Sequence, residues 1–159
     1  MSELLQALYR GDRKRVDELL VEEPALNVFE AAAFGRTERV RDLLDDDPSL
    51  ANAFADDGFQ PLGLACFFGH VKTAQLLLER NADPNTLAKN EQIQTSALHA
   101  AAASENKDPD TRYELCKMLL AHGADPNLRQ GSGGRAIDAA RMTGHAELEQ
   151  LLVRHSATG

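Results

Sequence analysis

The residues with a capacity for chemistry in this chain are five histidines, two cysteines, one glycine-rich tetrad and 25 carboxylates. His70, His99, His122, His145 and His155 could act as general bases or metal ligands. None stands in an H-E-x-x-H helix, and no Cys-x-x-Cys accompanies them. Gly131-Ser132-Gly133-Gly134 has the flexibility of a phosphate loop, but it lacks the Gly-Lys-Ser/Thr ending and a βαβ setting, so it reads as a turn. The serines have no nucleophile-elbow context. Cys66 and Cys116 fall at small-residue positions on the inward faces of helices and read as buried free thiols in a reducing, cytoplasmic compartment. Asp45-Asp46-Asp47 and Asp56-Asp57 read as solvated turns, and no two carboxylates are placed to work as general acid and base. The expectation is a protein without catalytic residues, cofactor or metal: not an enzyme.

Composition narrows the field further. The chain has 159 residues and fits one domain, residues 1–159, with enough length to bury a core. Aromatic residues make up only 5%, with no Trp, so small aliphatic side chains must build the interior. A net charge of −8 makes it a poor binder of nucleic acid or anionic membrane, because affinity for phosphate rests on clustered Lys and Arg. No apolar run approaches the roughly 20 residues of a membrane helix, and the N-terminus lacks the basic and apolar regions of a signal peptide.

The elements that would position any site follow from self-similarity. In Gln60 to Asn85, QPLGLACFFGHVKTAQLLLERNADPN, a short helix with Leu62, Leu64, Ala65 and Cys66 inward is broken at Gly69-His70. Val71, Ala74, Leu76, Leu77 and Leu78 then recur at helical spacing, and the Asp83-Pro84-Asn85 turn stops the second helix. Gly11, Gly35 and Gly144 separate the same two helices elsewhere, and Gly123-Ala124-Asp125-Pro126-Asn127 repeats the turn. Five helix pairs are predicted near residues 2–22, 27–46, 60–80, 96–121 and 135–155.

These features resemble the ankyrin repeat, a 33-residue unit of β-turn plus two antiparallel helices that opens with T-P-L-H-x-A. The opening stands here as Gln60-Pro61-Leu62-Gly63-Leu64-Ala65 and as Ser96-Ala97-Leu98-His99-Ala100-Ala101. The resemblance implies an all-α repeat solenoid, with units near 2–26, 27–55, 56–87, 88–127 and 128–155 and the first and last as caps. It also implies that the His99 ring hydrogen-bonds backbone between repeats. From Asn85 to Asn127 is 42 residues, nine more than one period. Three of the extra residues fall within 87–95 and six in the loop 104–110. Those insertions are either part of the binding face or tolerated surface loops.

Function, on this resemblance, is protein–protein interaction as an adaptor, scaffold or inhibitor, with a protein partner, no nucleic acid or membrane, and a monomeric state. The two positions before each inter-helix glycine are expected to project toward the concave groove. They are Tyr9-Arg10, Ala33-Phe34, Phe67-Phe68, Ala103-Ser104 and Met142-Thr143. Four of eight aromatics fall in that column, and Phe59 adds a fifth at an exposed hairpin position. The candidate partner-binding residues are Tyr9, Phe34, Asp56, Asp57, Phe59, Phe67, Phe68, Lys89, Glu91 and Met142, with Arg129 also on the rim. Two readings of the rings stand: anchors for a segment carrying apolar side chains and Lys or Arg, or rings buried between adjacent first helices. Self-assembly is an alternative, as is a small-ligand or enzymatic site formed by the 104–110 loop with His99 and Glu105.

Overall fold

Alanine in the first helix of three of the five pairs and leucine in every second helix set the shape of this molecule. The computed structural model describes residues 2–22, 24–106 and 108–156; Met1, Glu23, Lys107 of the long loop and residues 157–159 lie outside that description. Ten α-helices are present among the described residues: α1 Glu3–Tyr9, α2 Arg13–Val21, α3 Val28–Ala33, α4 Thr37–Asp46, α5 Pro61–Phe67, α6 Val71–Glu79, α7 Ala97–Ala102, α8 Pro109–Ala121, α9 Ala136–Met142 and α10 Ala146–His155. A 3-10 turn, Pro48–Asn52, follows α4. The helices pair off as the repeat pattern predicts, and there is no strand among the described residues.

The odd-numbered helices form one layer, with α3 on α5, α5 on α7 and α7 on α9. Ala31, Ala32, Ala65, Ala101, Ala102 and Ala140 are fully buried in it. Side chains this small let short helices approach closely. The second layer packs α4 on α6, α6 on α8 and α8 on α10, through Val40, Leu44, Leu77, Leu115, Leu119 and Leu148. Each pair therefore buries its apolar face only against its neighbours, which is the physics of a stacked repeat.

Local chemistry starts and stops each helix. Ser2, Asp12, Asn27, Ser96 and Asp108 cap their helices by accepting a backbone N–H. Pro61 and Pro109 occupy first-turn positions, where their missing N–H is not needed. Gly69 turns the chain between α5 and α6 with φ of +80°, as Gly11, Gly35 and Gly144 do in their own pairs. Asn81, with φ of +70°, takes the left-handed place that Gly123 fills one unit later.

Asparagines fix the register between units. The Asn52 side chain donates to the Asn81 carbonyl at 2.9 Å and accepts from Asp83 N–H at 2.8 Å. Asn85 repeats both bonds to Gly123 and Asp125. The connecting loops also touch edge to edge: Lys89 N–H donates to the Gly58 carbonyl, and Gly131 N–H donates to the Gln94 carbonyl, each at 2.8 Å.

Candidate functional site

The inner helices and the hairpin loops enclose an apolar hollow of about 760 Å³. Leu64, Phe67, Ala97, Ala100 and Ala103 of the α5–α7 region line it, with Gly63 in its floor. Phe59, Ile93 and Thr95 border it from the loops, and Leu8, Tyr9 and Arg10 from the end of α1. Four rings meet here. Tyr9 stacks parallel to Phe68 with centroids 6.2 Å apart and meets Phe59 edge-on, while Phe67 meets Phe68 edge-on at 5.0 Å. Such offset and edge-to-face contacts suit the ring quadrupoles.

The two positions before each glycine behave differently. The first of each pair points outward in most units: Tyr9 is 37% exposed, Phe67 40% and Met142 88%. The second is a helix C-cap in four of the five units, exposed at Arg10 and Thr143 but turned into the seam at Phe34 and Phe68. Phe34 and Phe68 cap α3 and α5 and are half-buried against the core. Ser104 is buried and donates its hydroxyl to the Phe67 carbonyl at 2.8 Å, so it does not face the groove. Ala33 is buried as well. Phe59, expected at an exposed position, is half-buried against the core. Burial thus accounts for Phe34, Phe59 and Phe68, and exposure distinguishes Tyr9 and Phe67.

The charged rim is also more structured than expected. The Asp57 carboxylate accepts from the Tyr9 hydroxyl at 3.5 Å and from Phe59 N–H at 3.3 Å. Burial, and then the Asp57 charge, hold the Tyr9 phenol well above its ordinary pKa. Lys89 lies over the Phe54 ring, its Nζ 4.1 Å from the centroid, a cation–π contact within the rim. Arg129 donates to the Gly133 carbonyl inside its own hairpin at 2.7 Å. Asp56 and Glu91 are exposed. Met142 borders neither this hollow nor a second one, of about 560 Å³, where Phe34 and Phe68 adjoin Leu8, His70 and Glu105.

The 104–110 loop is tied to the aromatic wall. Glu105 N–H joins the Ser104 hydroxyl on the Phe67 carbonyl, and Arg112 holds the loop through the Ser104 and Asn106 carbonyls at 2.7 and 3.0 Å. Glu105 and His99 both border the main hollow. Three lining residues had a signal that the column rule passed over. Gly63 stands at the motif histidine, Ile93 is an apolar residue in a polar insertion, and Ala100 shares a helix face with Ala103 and Ala97.

Three of the five histidines reach the backbone of a neighbouring unit. His70 Nε2 lies 2.8 Å from the Ala33 carbonyl and His145 Nε2 lies 2.9 Å from the Pro109 carbonyl, each reaching a neighbouring unit. His99 engages the Arg135 backbone of the next unit, and its Nδ1 is buried without a partner. Burial holds His70 and His99 below the ordinary 6.5, partly opposed by those backbone contacts. The unfolded chain therefore takes up these protons first as the pH falls. The stability they confer is complete above about pH 6.5 and is lost as the pH drops toward the lowered folded values. Melting temperature should fall from pH 7 to pH 5, and His70→Gln should flatten that fall. An unchanged slope would show that His70 titrates freely.

Cys66 and Cys116 are free and buried. Burial pushes the Cys116 thiol up to about 12 despite the Arg112 charge, and raises Cys66 further with Cys116 nearby. Neither supplies a thiolate at neutral pH. Among the described residues no group of three or more His, Cys, Asp or Glu could hold a metal, and no helix is long and apolar enough to cross a membrane.

The stacked helix pairs, the asparagine register and the inter-repeat histidines agree with a family comparison: residues 4–88 and 28–130 match the model of ankyrin repeats in three copies. The chain belongs to the ankyrin-repeat family. Ankyrin repeats generally mediate protein–protein interaction. The chain is 33% identical over 138 residues to the Ankyrin repeat and SAM domain-containing protein 6 of Mus musculus, covering 86% of this chain but only 14% of that protein. It is 32% identical over 120 residues to the Cyclin-dependent kinase inhibitor 2A of Monodelphis domestica, covering 73% of this chain and 62% of that protein. It is 36% identical over 78 residues to the human DNA-binding protein RFXANK, covering 49% and 29% of the two chains. This ankyrin domain therefore spans about one seventh of the mouse relative's length.

Proposed function

We propose that this ankyrin domain is a monomeric protein-binding module, an adaptor, scaffold or inhibitor, whose concave groove holds a partner segment bearing apolar side chains and Lys or Arg. The observation that carries this reading is the exposure of Phe67 and Tyr9 on an apolar hollow that the stack does not require. Phe67 keeps 40% of its surface in water beside Tyr9 and the apolar lining, and contiguous exposed apolar surface marks an interaction site. Asp83 and Glu105 border the hollow against one cation, Arg10, and Asp57 lies beside Tyr9, a balance of charge that suits a basic segment. A net charge of −8 weighs against the DNA phosphate backbone as the partner, whatever the human relative's name says of that protein. The two free buried thiols suit a reducing compartment such as the cytoplasm.

Phe67→Ala is the discriminating variant, because Phe68 also packs against the core and its loss would lower stability. With a partner obtained by affinity capture and then purified, Phe67→Ala should weaken binding by roughly thirtyfold or more, as truncating an aromatic hot spot does. Val21→Ser, at a side chain 79% exposed on α2, should bind like wild type. Equal affinities for wild type and Phe67→Ala would remove the groove from the reading. A small-ligand reading draws on one observation, that a hollow of 760 Å³ bordered by His99 and Glu105 falls within the size of ligand sites. A ligand of that kind should raise the melting temperature by mass action, which a metabolite panel would detect.

A further inference from the structure

Gly63 leaves the groove floor without a side chain at the position where the next repeat carries His99. A Cβ built on it meets nothing within 4 Å, and its backbone lies outside the left-handed region, so no turn demands glycine there. Glycine inside a helix is otherwise unfavourable. Its effect is to deepen the hollow. Phe67 stands one turn further along the same face of α5, and Ala97, Ala100 and Ile93 line the same hollow. Every one of these contacts is apolar, so the hollow favours an apolar occupant.

Two carboxylates border the hollow, and that of Asp83 is taken by the Asn85 N–H and the Thr86 hydroxyl. Glu105 is exposed and borders the hollow, and its carboxylate has no hydrogen bond or ion pair among the described residues. Its own N–H, bonded to the Phe67 carbonyl at 2.8 Å, fixes it beside the aromatic wall. Arg10, next to Tyr9, borders the same space and disfavours a second cation at that end.

We propose that the hollow over Gly63 is an anchor pocket that takes one large apolar side chain of a partner segment, with an adjacent Lys or Arg pairing with Glu105. This rests on the groove reading of the preceding subsection and names the residues that set its specificity. Gly63 admits the anchor by its absence of bulk, and Glu105 selects the flanking charge.

The test is a nuclear magnetic resonance titration of the labelled full chain with short synthetic peptides built on Lys-Trp-Lys, Lys-Leu-Lys, Lys-Ala-Lys and Glu-Trp-Glu cores. The Trp and Leu cores should shift the amides of Gly63, Ala100 and Ala103. The Ala core should bind at least about tenfold more weakly, the effect of withholding one buried apolar side chain. Gly63→Leu, which fills the space without removing any native contact, should abolish the shifts while helical circular dichroism is retained. Gly63→Ala should weaken binding by less. Glu105→Gln should erase the preference for Lys over Glu flanks. Equal binding by wild type and Gly63→Leu, equal binding of Ala and Trp cores, or no shift with any peptide would each overturn the pocket. If Phe67→Ala loses the Trp peptide while Gly63→Leu keeps it, the groove stands and the pocket falls; if neither matters, the groove reading falls too.

Discussion

Leu77→Ala should lower the unfolding free energy by about 2 to 5 kcal/mol, the range for deleting a fully buried leucine. Leu77 is 0% exposed on α6, and α6 packs against α4, α5 and α8. The cavity would therefore lie where the central pair meets both neighbours and where no outer helix can move in without leaving its own. That loss is a large part of a domain stability of roughly 5 to 15 kcal/mol. In a repeat stack it falls on interface terms as well as on one unit. Urea denaturation followed by circular dichroism should show an earlier midpoint and a broader transition, as the two ends of the stack uncouple. A loss under about 1 kcal/mol with an unchanged slope would mean that the central seam is not what couples them.

The second large effect comes from the smallest side-chain change. Gly58 has φ of +86°, and a Cβ there would stand 2.3 Å from the Lys89 carbonyl carbon and 2.4 Å from the Asn90 nitrogen. Gly58→Ala must then carry a left-handed alanine, at about 1 kcal/mol or more, and push the neighbouring hairpin away. That displacement breaks the Lys89 N–H bond to the Gly58 carbonyl and the Asn90 side-chain bond to the Asp57 carbonyl, each worth about 1 kcal/mol. The expected total is about 2 to 4 kcal/mol of destabilisation, together with displacement of Ile93 and Thr95 from the groove. Gly63→Ala, the same chemical change five positions along, should instead stabilise the fold by about 0.5 to 1 kcal/mol, because it improves helix propensity in open space. Opposite signs in the two urea midpoints are the expected result. Similar losses at both sites would show that the space over Gly63 is filled.

The repeat is written in local features of the chain. Apolar spacing, the helix-breaking glycines, the Asp-Pro-Asn turns and the T-P-L-H-like openings are all local, and each specifies a helix, a stop or a turn within a few residues. The fate of individual side chains at the groove is set by packing between units. Phe67 and Phe68 are adjacent in sequence and alike in chemistry. One stands out toward water and the other caps its helix and stacks on Tyr9, 59 positions away in the chain. Lys89 covers Phe54, Asp57 holds Tyr9, and the 104–110 loop reaches back to the Phe67 carbonyl. Each of these depends on which surface a distant unit presents once stacked, and local periodicity carries no record of that. The pocket over Gly63 is the limiting case, because its defining feature is space, which exists only after the neighbouring repeats have packed around it.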